Sequence, residues 1–374
     1  MKENAMVAIN KNETQELGDI YSKIMNLERE DYATPSKKST LYQHSKGFGI
    51  NLRNEGDFKK FRFTDHARTQ FNDRWTGFNT FSKTLDKLGH NGLYMRTAND
   101  LLEEDSRQMV IRTIAGEGDF QPRIARAVVS DAFKPIDDNL LVPEMLNVAG
   151  DSDEFRSLGG QLTDTNTFIR FISRTPQIQL NVDGRQRDLH IGFQYSNSEV
   201  GRGYAKFSAF FFDSFCENGC VFDQLTVADV KYAHRGSRIS TQCGRIFENR
   251  IREQEMLSIQ ATIVEATQLA IQGTYIPEVK QLLERSLSKE IPTDADTAKF
   301  VQEVGKRVGL SQAEQEHALM HYGGEGTMYG VQAAITRLAQ DANTFARRAE
   351  LEQAGGNVLG MTDKVWNSIA ALAA

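Results

Sequence analysis

A run of alternating segments in the middle of the chain sets the strongest constraint on its fold. Residues 167–173, TFIRFIS, alternate apolar and polar side chains. After an interruption at Pro176, residues 177–182, QIQLNV, alternate again. A period of two puts successive side chains on opposite faces of a strand. Asp183-Gly184 then supplies a hairpin signal, because a tight two-residue turn needs positions that accept positive φ. Residues 187–195 form the next strand. Residues 203–216, GYAKFSAFFFDSFC, form another, ending at Glu217-Asn218-Gly219, and residues 220–232 return as one or two more. Strands joined in this way make an antiparallel meander.

The flanks have a different rhythm. From about Ser240 the periodicity is helical, over 246–272, 277–288, 295–308, 311–321, 327–353 and 362–372. Upstream, an amphipathic helix is expected around Leu17–Leu27, and a second over 64–75 with Thr64 as its N-cap. A short helix is expected at Asn99–Leu102, running into the acidic Glu103–Asp105. Residues 108–115 and 123–129 read as strands, the latter leading to turns at Lys134-Pro135 and Asp137-Asp138. The order predicts an α+β fold: an N-terminal α/β segment, a central antiparallel β-meander and a helical C-terminal third, not the alternating βαβ of a doubly wound sheet. Four segments follow: a polar helical lead-in at 1–36, a basic-aromatic then acidic stretch at 37–160, the meander at 161–245, and the helical region at 246–374. There is no internal repeat or low-complexity tract.

Composition narrows the class. A hydrophobic fraction of 40% is enough for a sizeable core. No run approaches the ~18 apolar residues of a spanning helix, and the first twenty residues hold no apolar signal region. Three cysteines are too few for a disulfide scaffold, and the odd number suits a reducing compartment. A cytoplasmic protein with no membrane partner is expected.

The net charge of −6 hides strong segregation. Residues 37–96 carry 12 basic and 5 acidic groups, whereas residues 97–160 carry 6 and 13. Ten aromatics are interleaved in the basic stretch, among them Tyr42, Phe58, Phe61, Phe63 and Trp75. Cations attract a phosphate backbone, and ring faces can stack on exposed bases. In Phe58-Lys59-Lys60-Phe61-Arg62-Phe63, alternation puts Lys60 and Arg62 on one face and Phe61 and Phe63 on the other. The bland reading is a strand with its rings in the core and its lysines in water. A second basic concentration spans 231–253, with Lys231, Arg235, Arg238, Arg245, Arg250 and Arg252 against Glu248 and Glu253. Arg235-Gly236-Ser237-Arg238 reads as a loop entering a helix, where backbone N–H groups and arginines can both meet phosphate. Arg170, Arg174, Arg185 and Arg187 lie on or beside one predicted hairpin, with Arg202 and Lys206 just beyond it.

Reaction chemistry is thinly marked. Cys216, Cys220, His234 and Cys243 are zinc-ligand types, yet Glu217-Asn218-Gly219 reads as a turn and no second close pair follows. Thiols flanking a hairpin are the simpler reading. No metalloprotease, nucleophile-elbow, P-loop or deaminase signature is present. Gly201-Arg202-Gly203 lacks the third glycine of a dinucleotide fingerprint. Asp131, Asp137 and Asp138 could cluster around a metal but read first as turn residues.

Tyr195-Ser196-Asn197-Ser198-Glu199-Val200-Gly201, then Gly203, then a strand ending in Cys216-Glu217-Asn218-Gly219, resembles the central signature of a phage- and plasmid-related family, domain of unknown function nine-three-two. The basic loop Ala233-His234-Arg235-Gly236 agrees with that pattern. So do the segment from Ala127 to Asp138, the helix start Thr64-Asp65-His66-Ala67, and the stretch from Gly326 to Thr336. The resemblance covers about residues 60–370. It implies a mobile-element setting, most simply a bacteriophage protein in the host cytoplasm, and implies no reaction. Asn197, Glu199, Gly201, Cys216, Asn218 and Gly219 are expected to support the fold first.

The sequence is compatible with three functions. The first is a non-enzymatic, oligomeric protein binding single-stranded DNA, in outline similar to single-strand annealing proteins of phage replication or recombination. Its phosphate contacts would come from Lys59, Lys60, Arg62 and the basic residues named above, its stacking from Phe61, Phe63 and Trp75, and it would need no cofactor or metal. The second is an enzyme acting on nucleic acid, with a metal or cysteine site built from Cys216, His234 and Asp131. The third is a protein that binds a host or virion factor, which the acidic 97–160 segment suits. Phage or host replication and recombination proteins are further partners to be expected of the first.

Overall fold

The structure, a computed structural model, describes residues 15–45, 47–54, 57–116, 122–150, 152–182, 184–213, 218–222, 230–234 and 245–374. It is an α+β fold in which two mostly antiparallel sheets precede a helical third. Among the described residues, no helix is long and apolar enough to cross a membrane.

The lead-in forms α1 (Leu17–Asn26), whose buried Ile20 and Ile24 lie one turn apart. It continues into β1 (Arg29–Pro35), a strand not anticipated in this polar segment. Its alternation is weak, and its support is non-local: β1 pairs with β5 (Gln108–Ile114) in the register Arg29↔Ile114 to Pro35↔Gln108. Between them run β2 (Ser39–His44), β3 (Gly47–Asn54), β4 (Asp57–Phe63), α2 (Asp65–Phe71), α3 (Asn79–Lys87) and α4 (Asn91–Glu104). With β6 (Arg123–Ser130), the first sheet has the order β1-β5-β6-β4-β3-β2. Among the described residues, only the short β4–β6 contact is parallel. The Thr64 hydroxyl accepts the Ala67 N–H at 3.1 Å and so caps α2, as its sequence position suggested. Helices α2–α4 cover one face. Phe48, Ile50, Leu52 and Phe61 from that face join Phe71, Trp75, Tyr94 and Leu102 in a single core.

After α5 (Asp138–Gly150) comes the second sheet: β7 (Phe155–Leu162), β8 (Thr167–Ser173), β9 (Ile178–Val182), β10 (Arg185–Asn197), β11 (Ala205–Asp213), β12 (Asn218–Val221) and β13 (Val230–Tyr232). The path β12-β11-β10-β8-β7 carries β9 beside β10 and β13 beside β11. Gly184, at φ +77°, makes the anticipated β9–β10 turn. Asn218-Gly219 is a correction. Both residues lie within β12, in the register Asp213↔Asn218 and Phe212↔Gly219, so they are strand and not turn.

The helical third comprises α6 (Arg245–Ile271), α7 (Ile276–Ser288), α8 (Thr297–Arg307), α9 (Gln312–His321), α10 (Met328–Arg337), α11 (Phe345–Leu359) and α12 (Asp363–Ala373). The single helix expected over 327–353 is two, because a 3₁₀ turn at Leu338–Asp341 intervenes and the Thr344 hydroxyl caps α11 anew. Helix α11 lies directly on the second sheet. A Cβ at Gly356 would stand 1.9 Å from the Val221 carbonyl oxygen, so only glycine permits this approach.

Candidate functional site

The segment Asn197–Gly201 leaves β10 and turns between the two sheets. Gly201 has φ +73°, and a Cβ there would meet the Phe133 ring at 2.8 Å. Glu199 is buried and faces cations from the first sheet. Arg29 reaches it through Nε and Nη2 at 2.8–3.2 Å, and Arg126 through Nη1 at 2.6 Å. The Asp138 backbone N–H donates to it at 2.9 Å. Burial opposes ionisation, but Arg126, Arg29 and that N–H hold the carboxyl low, at about 2. Arg112 donates to the Glu199 carbonyl and pairs with Asp137 at 2.6 Å and Asp31 at 3.1 Å.

A second buried carboxylate sits beside the first. Asp138 accepts from Tyr195 at 2.7 Å, Asn197 at 2.9 Å and Thr167 at 2.6 Å. Burial, followed by the charge of Glu199, raises it to about 6. His234 stacks on Phe133 at 5.3 Å between centroids. Its Nε2 lies 3.0 Å from Asn197 Oδ1 and its Nδ1 3.2 Å from the Lys134 carbonyl oxygen. Burial lowers its pKa. Glu199, Asp138, Asn197 and His234 are all hydrogen-bonded within the protein. The signature therefore joins the two sheets, and His234 is fixed as part of that joint. Cys216 and Cys243 lie outside the described residues. Among the described residues, no three His, Cys, Asp or Glu side chains are grouped to hold a metal.

The basic residues separate into two populations. Arg170 is buried, donating to Gln194 at 2.7 Å and pairing with Glu352, which also binds Arg348 at 3.0 Å. Arg187 is buried 3.6 Å from Asp213. Both were expected to contact phosphate. Both are instead interior cations, neutralised by Glu352 from α11 and by Asp213 from the adjoining strand β11. Phe61 and Trp75 are likewise core residues, 1% and 7% exposed, and Phe63 is half-buried against Phe71. Their ring faces are taken by the core and are not free to stack. Arg174, Arg185 and Arg202 are exposed, and Lys206 is half-buried opposite Lys231 across β11 and β13. The Lys231 ammonium sits 4.1 Å from the ring of exposed Tyr204. Arg235 and Arg238 lie outside the described residues, and Arg245 is the first residue of α6.

The uncovered face of β2–β4 gathers what the sequence had scattered. Its residues lie in three rows set by the strand register: Tyr42–Gly49–Arg62, Thr40–Asn51–Lys60, and Arg53–Phe58. Gly49 makes room for the Tyr42 ring, since a Cβ there would lie 2.7 Å from it. The Tyr42 hydroxyl donates to the Phe61 carbonyl at 3.3 Å, and the Lys60 ammonium lies 6.0 Å from the Tyr42 centroid. Phe58 is 64% exposed. Lys59, on the opposite face, sits 4.6 Å from the Tyr32 ring. Among the described residues, no carboxylate pairs with Arg53, Lys60 or Arg62, whereas the cations around Glu199 and Glu352 are all neutralised. The rings that accompany these cations are exposed Phe58 and half-buried Tyr42, neither of which the sequence singled out as a stacking candidate. The period of two that grouped Lys60 with Arg62 also places Phe58 beside them.

Comparison of the chain with protein-family models, with curated proteins and with solved structures finds no match.

Proposed function

We propose that this chain binds single-stranded nucleic acid, DNA foremost, on the outer face of β2–β4, without catalysing a reaction, in the replication or recombination of a mobile genetic element. The observation that carries this reading is the set of cations that have no carboxylate partner among the described residues, Arg53, Lys60 and Arg62, interleaved with Tyr42 and exposed Phe58. Elsewhere, ion pairs neutralise the positive charge inside the protein. Here it is left for a polyanion, with rings at the spacing of a pleated surface. Arg202, Tyr204 and Lys231 on the second sheet would extend the track of the strand. The resemblance of the Asn197–Gly201 signature to a phage-related family supports the setting.

The test is fluorescence anisotropy with a labelled single-stranded oligonucleotide, with duplex as competitor, over a salt series. Tight, salt-sensitive binding that prefers single strands is expected. The K60A/R62A double variant should bind more weakly and flatten the salt slope by about 1.4, since each lost phosphate contact on a single strand removes about 0.7. No binding by the wild-type chain at low salt, or an unchanged affinity and slope in the double variant, would overturn the assignment.

A further inference from the structure

The helical hairpin on the covered side of the first sheet carries a surface that the sheet does not use. Four of the twelve large hydrophobic side chains exposed among the described residues lie within it: Phe81 at 48%, Leu88 at 63%, Leu93 at 46% and Leu101 at 38%. Leu85, Tyr94, Ala98 and Leu102 face the core, so these four lie on the outer sides of α3 and α4. Exposed apolar side chains scattered singly need no explanation, but a cluster marks a contact surface.

Among the described residues, and apart from Arg96 midway along α4, the exposed unpaired charges of the hairpin are polarised. Lys83 and Lys87 are exposed on α3, and Asp100, Glu103 and Glu104 are exposed at the end of α4. Among the described residues none of the five has an ion-pair partner, whereas Asp86 and Asp105 in the same hairpin are paired with Arg68 and Arg107. The last turn of α4 contains no basic residue. Carboxylates there lie at the negative end of the helix dipole, an arrangement that is unfavourable in an isolated chain. A cation brought from outside would offset it.

We propose that α3 and α4 form the face through which two copies of this chain associate about a twofold axis, with the α4 helices antiparallel. A twofold contact requires a surface complementary to itself. An antiparallel arrangement supplies that: the acidic end of α4 in one copy meets Lys83 and Lys87 of the partner copy, and the reverse pairing follows by symmetry. Leu93 of each copy then packs towards Leu101 of the other, with Phe81 and Leu88 at the margin. The outer face of β2–β4 lies on the opposite side of the sheet, so the dimer leaves both of those faces open.

The test is light-scattering mass of the full chain, freed of nucleic acid, over a concentration series. A mass of twice 42.1 kDa is expected at the upper end. The charge reversals E103K/E104K and K83E/K87E should each weaken the association by roughly tenfold or more, and combining all four changes should restore it. All the substituted side chains are exposed, and circular dichroism of each variant checks that it is folded. A wild-type chain that stays monomeric at ~100 µM, or a dimer that neither reversal weakens, would overturn the proposal. Because no nucleic acid is present, the result is independent of the binding reading above.

Discussion

Replacing Glu199 with glutamine tests whether the signature is the joint between the sheets. The change keeps the shape and removes the charge. The new amide oxygen can still accept the Asp138 N–H, but the amide nitrogen becomes a donor facing the donors of Arg29 or Arg126. Those side chains are only 11% and 10% exposed, so water cannot replace the lost carboxylate. Breaking a buried pair by removing one partner costs about 3–5 kcal/mol. The depressed pKa of Glu199, about 2 against the ordinary 4.5, has the same sign, because Arg126 and Arg29 favour the charged carboxylate. Relief of the charge that Glu199 imposes on Asp138 trims the loss, leaving about 3 kcal/mol. The assay is urea unfolding followed by tryptophan fluorescence and circular dichroism. With a slope of about 3 kcal/mol per molar, the midpoint should fall by about 1 M. Glu303→Gln, which loses only a surface pair with Lys306 at 3.7 Å, is the control and should move stability by less than ~0.5 kcal/mol. A Glu199→Gln midpoint within error of that control would refute the reasoning.

Three further outcomes follow from the same geometry. Asp138 is raised from 3.8 to about 6, so the folded state holds an extra proton between those values and gains stability as pH falls through 6; Glu199, depressed to about 2, gives up its contribution as pH falls from 4.5 towards 2. Urea midpoints across pH should therefore peak near pH 4, where the two slopes cancel, and Asp138→Asn, whose amide can satisfy Tyr195, Asn197 and a reoriented Thr167 hydroxyl, should lose the rise between pH 7 and pH 5. Phe58→Ala should leave stability within ~0.5 kcal/mol yet weaken oligonucleotide binding by about 1–3 kcal/mol, while Phe61→Ala should cost about 3–5 kcal/mol of stability; equal stability losses in thermal melts would contradict the assignment of faces. Gly356→Ala should destabilise by about 1–3 kcal/mol or more by forcing α11 away from Val221, and an unchanged unfolding midpoint would contradict that close approach.

The legible parts of the fold were those decided locally. Thr64 caps its helix, Gly184 turns its hairpin, and residues 167–173 form β8 because alternation, turn chemistry and capping act over a few positions. Strand β1 was not legible, because a sequence such as Arg29–Pro35 becomes a strand only once residues 108–114 supply its partner. Arg170 and Lys60 show the same limit at the site. Both are cations on alternating strands, yet one meets Glu352 after 182 further residues and the other meets no carboxylate among the described residues. Local pattern assigns a face. It does not say whether that face is covered. The rings were misassigned for this reason: Phe61 lies under α2–α4, and Phe58, three residues earlier, lies on the face they leave open.

The Arg29–Glu199 contact also orders events in time. The two residues are 170 positions apart. At ~5–20 residues per second of synthesis, the carboxylate is made roughly 10–30 s after the guanidinium it neutralises. Until then β1 carries an arginine whose counter-charge in the folded protein has not yet been made. The six strands of the first sheet are thus all synthesised before the turn from the middle of the chain that supplies this ion pair.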